Sequence, residues 1–257
     1  MENFIVLIGG PGLFKGCDKA HDQSWTNYIV PVQLAAQKNL YHRRPKEVVH
    51  WVLYEPPYKK RWLDDSVITA KEKKESDGYN LHSIRKTAAD KILAKKAFSY
   101  IDRIKQIAKS NSITYKGISK PSEFWQYLKS LDDKSITRVW YSGHASKTGL
   151  MLALTHDTSC DAAAFPSDMV NKSDIAGNKA TLLKKINVSS KQISKFYGCY
   201  TAGFAQEWHK VFGVSAAGAV EKIDFGVVDR PSHIVNIMER IEKTPTSVGK
   251  PDWTTYK

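Results

Sequence analysis

The stretch Ile136-Thr137-Arg138-Val139-Trp140-Tyr141-Ser142-Gly143-His144 decides the fold of this chain. Its first six residues are rich in β-branched and aromatic side chains, which favour a buried β-strand. Because Ser142-Gly143 interrupts that run, we expect His144 to lie just past the end of a strand. A second stretch of the same kind, Ile193-Ser194-Lys195-Phe196-Tyr197, leads into Gly198-Cys199. The sequence therefore predicts a histidine and a cysteine directly after two strands.

Two more apolar runs extend this pattern towards the N-terminus. Residues 4–8 precede Gly9-Gly10-Pro11-Gly12, residues 48–54 precede Pro56-Pro57, and both runs are expected to be strands. A helix predicted at 25–38 would join them into a βαβ unit, which favours parallel strands. We therefore expect an α/β fold, with a mostly parallel central sheet flanked by helices in three layers.

Apolar periodicity predicts the remaining elements. Helices are expected at residues 88–109, 121–131, 179–186 and 202–212, and a last strand at 214–220. We interpret residues 1–257 as a single domain, with a charged insertion around 59–80 and an irregular tail from about 242.

The composition excludes disordered, collagenous and low-complexity proteins. With 42% hydrophobic and 25% charged residues among 257, the chain can bury a substantial core. It has no apolar run of roughly 18 residues and no Sec-type signal peptide, so a membrane span is not expected. We expect a soluble protein, either cytoplasmic or exported without such a signal. Its three cysteines are an odd number, which argues against a disulfide framework.

The formal net charge of +13 is concentrated between about residues 38 and 120. We interpret this charge as solvated helix faces rather than a surface for nucleic acid, anionic lipid or an acidic partner. Because no nucleic-acid recognition motif accompanies it, a nucleic-acid partner is not expected. The sequence carries no signal for the oligomeric state.

His144 and Cys199 form a candidate catalytic pair. The carboxyl ends of parallel strands lie along one edge of a sheet, where side chains just past those ends converge on a shared crevice. A nearby imidazole turns a thiol into a useful nucleophile by accepting its proton. Gly143 and Gly198 allow sharp turns and close approach of a substrate, and the Cys199 N–H can stabilise an oxyanion. A helix following at 202–212 would favour a thiolate.

Two motifs and their spacing resemble a known group of enzymes. Trp140-Tyr141-Ser142-Gly143-His144 resembles the Tyr-Tyr-Ser-Gly-His of metacaspases, and Cys199-Tyr200-Thr201-Ala202 is similar to the Cys-x-Thr-Ala of CHAT peptidases. The 55 residues from His144 to Cys199 suit caspases, in which the histidine lies about 50 residues upstream of the cysteine. The chain thus resembles the caspase-like, clan CD cysteine peptidases, and the resemblance is weakest at residues 59–120.

The resemblance implies a caspase-like sandwich with a His144/Cys199 dyad that cleaves a protein or peptide substrate. It also implies an oxyanion hole made by the backbone N–H groups of Ala145 and Cys199, with no metal or organic cofactor. Family analogy suggests a bacterial toxin, effector or defence protease. Gly143, Tyr197 and Gly198 are expected to contact the substrate.

The sequence departs from the family pattern at two positions. Ala145 stands where a glycine is usual, and Tyr197 stands where caspases have the glutamine that helps to bind a P1 aspartate. Aspartate specificity is therefore not predicted. Candidates for binding a basic P1 residue instead lie in the loop after His144, namely Asp157, Asp161, Asp168 and Asp174.

Other functions remain open at this point. A catalytically inactive caspase-like module could bind a protein or an anionic partner through its basic face. Gly9-Gly10-Pro11-Gly12 is similar to an α/β-hydrolase oxyanion loop, but residues 213–217 lack the last glycine of a nucleophile elbow. Cys17, His21 and Asp22 cluster after the first strand without a recognised spacing. His156 and His209 are expected to be structural, and no calcium-loop spacing is present.

Overall fold

The computed structural model describes residues 1–14, 25–37, 45–67, 98–156, 168–223 and 253–257. Its main sheet has seven strands in the order β12-β11-β10-β5-β1-β3-β4. Six of them are parallel and β12 is antiparallel to β11. These strands are β1 (Glu2–Ile8), β3 (Glu47–Tyr54), β4 (Thr114–Ile118), β5 (Ile136–Ser142), β10 (Ser194–Tyr197), β11 (Ala216–Ala219) and β12 (Trp253–Tyr256).

Two small sheets are formed by segments that lie between the main-sheet strands along the chain. The first pairs β2 (Gly12–Phe14) with β8 (Leu154–His156), and the second contains β6 (His144–Ser146), β7 (Gly149–Met151) and β9 (Met169–Asn171). The helices of the described ranges are α1 (Ile29–Gln37), α2 (Pro56–Val67), α3 (Tyr100–Ser110), α4 (Pro121–Ser130), α5 (Asp174–Gly177), α6 (Lys179–Lys185) and α7 (Ala202–Phe212).

Alternate residues of each strand bury against helices on opposite sides of the sheet. Ile5 and Leu7 of β1 belong to a core shared with α4, α6 and α7, which we call the α4/α7 face. Phe4 and Val6 belong to a second core shared with α1, α2 and α3, the α1/α3 face. Because a strand points successive side chains to opposite faces, a run that is apolar throughout must be covered on both sides. The predicted α/β fold with a mostly parallel sheet flanked by helices is confirmed.

The order of the strands reverses at β1. The chain runs outward from β1 through β3 to β4, and then returns to β5 on the other side of β1. In open parallel sheets such a reversal separates the loops at the carboxyl ends of two adjacent strands and creates a crevice. The ends of β1 and β5 therefore flank the natural binding position of this sheet.

Two expected irregular regions contain regular structure. Residues 59–67, predicted as the start of an exposed insertion, continue helix α2, which Tyr58 anchors in the core at 0% exposure. Residues 253–256, predicted as part of an irregular tail, form edge strand β12, because Trp253 packs on Tyr197 with ring centroids 5.1 Å apart. The rest of the expected insertion, and residues 242–252, lie outside the described residues.

The other predicted elements are found with small shifts in their ends. Helix 202–212 matches α7, and helix 121–131 matches α4. The helix predicted at 88–109 is wrong at residues 98 and 99, which are not helical: α3 begins at Tyr100, because the Ser99 side chain caps it by accepting the Asp102 N–H. Residues 88–97 lie outside the described residues. Strand β4 was not predicted, since it is a half-exposed edge strand with lysine and glycine in its middle. None of the helices in the described ranges combines the length and apolar character that crossing a membrane requires.

A buried polar network on the α4/α7 face joins strands β1 and β3, helix α4 and the residue before β5. His50 in β3 contacts the Tyr127 hydroxyl through Nδ1 at 2.7 Å and the Asn3 side-chain oxygen through Nε2 at 2.9 Å. Asn3 in turn donates to the Ser135 hydroxyl at 2.9 Å. The two partners suit a neutral ring with its proton on Nε2. Burial lowers the pKa of His50 to about 4, so this histidine is uncharged in the folded protein near neutral pH.

We predict that acidification destabilises the fold through His50. In the unfolded chain the ring has its ordinary pKa of about 6.5, so below that pH the unfolded state binds more protons than the folded state. Stability is then lost progressively as the pH falls from about 6.5 to about 4. After allowance for screening by solvent, we expect a loss on the order of 1 kcal/mol between about pH 7 and pH 5.

Urea unfolding of the wild type and of His50→Gln at both pH values measures this effect. The variant should be less stable than the wild type at pH 7 and should lose less of its remaining stability on acidification. An equal loss in both proteins would show that other groups control the acid sensitivity.

Candidate active site

The register of two neighbouring strands places His144 and Cys199 at equivalent positions past the two strand ends. Strands β5 and β10 are parallel, with Tyr197 opposite Ser142. The next residues continue this alignment, since the Gly143 N–H donates to the Tyr197 carbonyl at 3.1 Å. His144 and Cys199 each come two residues after this aligned pair, beyond the ends of adjacent strands.

The contacts of the two side chains indicate that both lie on the α1/α3 face. The His144 ring meets the ring of Tyr28 edge-on, with centroids 5.2 Å apart, and Tyr28 is a buried member of the core on that face. The sulfur of Cys199 contacts the backbone of Ile223, which packs against the same core. Both residues are half-buried.

Three glycines stand in a row at the ends of β1, β5 and β10. Because Ile8 is paired with Ser142, and Ser142 with Tyr197, the next residues in register are Gly9, Gly143 and Gly198. A β-carbon on any of them would come within 2.4–3.2 Å of the Tyr141 side chain. The row therefore leaves room for the phenol ring of Tyr141 beneath the loops of the site. Close packing, rather than a left-handed backbone, requires glycine here.

The Gly143 and Gly198 loops are in direct contact. A β-carbon on Gly198 would lie 2.6 Å from Cβ of Ala145 and 2.9 Å from the Gly143 carbonyl oxygen. The backbone of the cysteine loop thus lies against the peptide that follows His144. Ala145 is part of strand β6 and is 8% exposed, and its extended backbone suits alanine as well as glycine. The departure from glycine at this position is compatible with the local geometry.

The turn after Cys199 is strained and tightly held. Tyr200 has a φ of +60°, a left-handed conformation that is uncommon for residues other than glycine. Its N–H donates to the Glu221 carbonyl at 3.0 Å, which ties the turn to the segment after β11. Strained backbone of this kind persists only where surrounding contacts enforce it, and it is common at functional sites.

The side chain of Thr201 holds this turn through three backbone contacts. Its hydroxyl contacts the carbonyls of Phe196 at 2.5 Å and Gly198 at 3.0 Å, and it accepts the Ala219 N–H at 3.1 Å. The residue is fully buried and links the end of β10 to the end of β11. A β-carbon on Gly218 would meet the Thr201 carbonyl oxygen at 2.5 Å, so β11 packs closely against this turn.

The cysteine sulfur lies within reach of a backbone donor. The Ile223 N–H points to Sγ at 3.4 Å, and the Ile223 carbonyl oxygen is 3.9 Å away. The N–H donor favours the thiolate, whereas the carbonyl acceptor favours the thiol. Helix α7 starts at Ala202, three residues after Cys199, so its positive N-terminal end lies on the same side of the molecule. Lys147 adds positive charge, with Nζ 5.6 Å from the ring centre of Tyr200.

Other predicted site residues are buried or take part in hydrogen bonds within the protein. Tyr197 is fully buried between Trp140 and Trp253, with centroids 5.5 and 5.1 Å from its own, so its predicted contact with substrate stays a prediction. Asp168 accepts a hydrogen bond from the Tyr54 hydroxyl at 2.8 Å, and Asp174 accepts the Asn171 N–H at 3.2 Å.

Several further candidates are structural or lie outside the described residues. His209 in α7 hydrogen bonds to the Val214 carbonyl at 3.1 Å, as expected of a structural histidine. His156 belongs to strand β8. Cys17, His21, Asp22, Asp157 and Asp161 lie outside the described residues. Within the described ranges, no group of three or more His, Cys, Asp or Glu residues is arranged to hold a metal ion.

Sequence reasoning missed the supporting residues Tyr28, Tyr141 and Thr201. Tyr141 and Thr201 stood inside the quoted motifs but were not given a role, because a buried aromatic or a threonine in a strand or turn has no distinctive pattern. Tyr28 lies far from His144 in the chain, and only the packing of α1 on the sheet brings the two together. No protein-family model matches the sequence, and no curated protein matches it significantly.

We predict that Thr201→Val destabilises the protein by about 2 kcal/mol. Valine has the same shape but leaves the Ala219 N–H and the Phe196 and Gly198 carbonyls without the hydroxyl, and each unsatisfied buried group costs about 1–3 kcal/mol. Thr148→Val is the matched control, since the Thr148 hydroxyl is exposed and should contribute less than about 0.5 kcal/mol.

Urea unfolding near pH 7 gives both free energies. Equal stability of the two variants would contradict the structural role of Thr201.

Proposed function

We propose that this protein is a caspase-like cysteine endopeptidase in which His144 and Cys199 form the catalytic dyad. The observation that carries the proposal is the register of β5 and β10, with Ser142 opposite Tyr197. This register places a histidine and a cysteine at equivalent positions past neighbouring strand ends. The motif resemblance around both residues supports the same reaction, as does the position of the pair next to the reversal of strand order at β1.

Each step of the reaction can be assigned to groups of this chain. His144 accepts the thiol proton of Cys199, and the thiolate forms a bond to the carbonyl carbon of the substrate. The tetrahedral intermediate collapses, the carbon–nitrogen bond breaks, and the His144 imidazolium donates its proton to the leaving amine. Water then attacks the acyl-enzyme, His144 accepts a proton from it, and the sulfur leaves and is reprotonated. No metal or organic cofactor takes part in these steps.

Two backbone N–H groups are candidates for stabilising the negative oxygen of the intermediate. They belong to Cys199 and to Ala145, whose β-carbon lies beside Gly198. Such donors lower the barrier because they are already oriented before charge develops on the oxygen. The contact between the two loops is the feature that would let both groups reach one atom.

The substrate is proposed to be a protein or peptide without selection for aspartate at P1. The position that carries glutamine in caspases is occupied by Tyr197, which is buried in an aromatic cluster with Trp140 and Trp253. Tyr197 is buried and has no amide N–H groups, with which a glutamine side chain binds a carboxylate.

Digestion of a mixed peptide library, with cut sites read by mass spectrometry, tests the proposed activity. The wild type should cleave, and Cys199→Ala and His144→Ala should each lose at least about a thousandfold in rate, because nucleophile and base act as one unit. His50→Gln is the matched histidine control and should cleave like the wild type near pH 7, since His50 lies within β3 and serves the core.

Activity that persists in Cys199→Ala would reject the dyad. Absence of cleavage by every form would favour the inactive module that binds a partner through its basic face.

Alkylation by iodoacetamide tests the pairing of the two side chains without a substrate. An isolated thiol has a pKa of about 8.5 and is only about 1% thiolate at pH 6.5. We expect Cys199 of the wild type to react at least about tenfold faster at this pH than Cys199 of His144→Ala, as measured by mass spectrometry of its tryptic peptide. Equal rates would show that His144 does not activate the thiol.

A further inference from the structure

We propose that Tyr141 is a positioning residue whose hydroxyl fixes the peptide between His144 and Ala145, so that the Ala145 N–H is oriented towards the carbonyl oxygen of the substrate. The inference rests on the proposed function. In this role Tyr141 contacts neither the carbonyl carbon of the substrate nor the leaving amine.

The Tyr141 hydroxyl reaches two carbonyl oxygens at the base of the site. It lies 2.5 Å from the His144 oxygen and 2.7 Å from the Met151 oxygen. Met151 is paired with His144 across the β6–β7 hairpin, so the single hydroxyl contacts both strands where the hairpin begins. Tyr141 is 0% exposed, and its ring therefore acts as a fixed support.

The geometry of the peptide group turns this contact into an orientation of Ala145. A trans peptide is planar, and its C=O and N–H point in opposite directions. When the His144 oxygen is held by the phenol, the Ala145 N–H must point away from Tyr141. A carbonyl that accepts a strong hydrogen bond also polarises the N–H of its own peptide, which makes that N–H a better donor.

The surrounding residues are arranged to accommodate the phenol. The glycine row of Gly9, Gly143 and Gly198 leaves the space that the ring occupies, and a β-carbon on Gly143 would lie only 2.4 Å from the hydroxyl oxygen. Three successive strand ends thus lack side chains around one tyrosine. Ordinary packing of a core aromatic does not require a row of glycines at a sheet edge.

The phenol stays a donor throughout the working pH range of a cysteine peptidase. Burial raises the pKa of Tyr141 well above its usual value, and the nearby Tyr58 and Cys199 groups raise it further.

The test compares Tyr141→Phe with Tyr58→Phe. Both tyrosines are fully buried, and Tyr58 donates to the Gly9 carbonyl at 2.8 Å, so each variant loses one buried hydroxyl hydrogen bond. We expect Tyr141→Phe to lower kcat for a library-selected peptide about 10- to 100-fold with KM nearly unchanged, because a transition-state interaction is lost. Tyr58→Phe should keep kcat within about threefold of the wild type.

Alkylation of Cys199 separates this role from one in the dyad. Iodoacetamide forms no oxyanion, so the alkylation rate of Tyr141→Phe at pH 6.5 should stay within about twofold of the wild type. Parallel loss of cleavage and alkylation would place Tyr141 in support of the dyad and overturn the inference, as would equal loss of kcat in both tyrosine variants.

The remaining outcomes distinguish the inference from the function on which it rests. Wild-type kcat in Tyr141→Phe would overturn the role of the tyrosine and leave the peptidase intact. Absence of cleavage by the wild type would overturn the proposed function and this inference with it.

Discussion

The alignment of β5 with β10 is the constraint on which the candidate site depends. Ser142 lies opposite Tyr197, and the Gly143 N–H continues the ladder one residue further. In a strand, a shift of one residue sends every following side chain to the other face of the sheet. Such a shift would separate His144 from Cys199 by the thickness of the sheet. The large buried side chains of both strands oppose it, because a shifted strand would move each of them into the opposite core, where other side chains already fill the space.

Close packing around the strand ends converts this alignment into a defined site. The glycine row admits Tyr141 beneath the loops, and Thr201 links the ends of β10 and β11 through its hydroxyl. These contacts enforce the left-handed conformation of Tyr200, which re-aims the chain from strand β10 into helix α7. The residues of the proposed dyad therefore follow directly after well-packed strands, which is the arrangement that precise positioning requires.

Charge and polarity are distributed unevenly along the sheet. Near the amino ends of the strands, Arg138 and Glu47 form a buried ion pair with a separation of 2.6 Å, and Arg138 also stacks on Phe4. Buried charges are tolerated only when paired and hydrogen bonded, so this pair restricts how β3 and β5 can be placed around β1. At the carboxyl ends of the strands, the candidate site contains His144, the Cys199 thiol and the Ile223 N–H, and Lys147 lies against Tyr200.

The sequence by itself determined the α/β fold, the strands that carry His144 and Cys199, and the helix that follows the cysteine, because short-range apolar patterns and glycine punctuation control these features. It did not reveal helix α2 over residues 59–67 or strand β12, since a charged surface helix and a half-exposed edge strand have weak patterns of their own. Only the tertiary structure decided that Tyr28 contacts His144, that Tyr197 is enclosed by Trp140 and Trp253, and that Tyr141 supports the loops. These contacts join residues far apart in the chain or depend on register, and local sequence cannot encode the distance between two side chains that meet through the packing of a whole sheet.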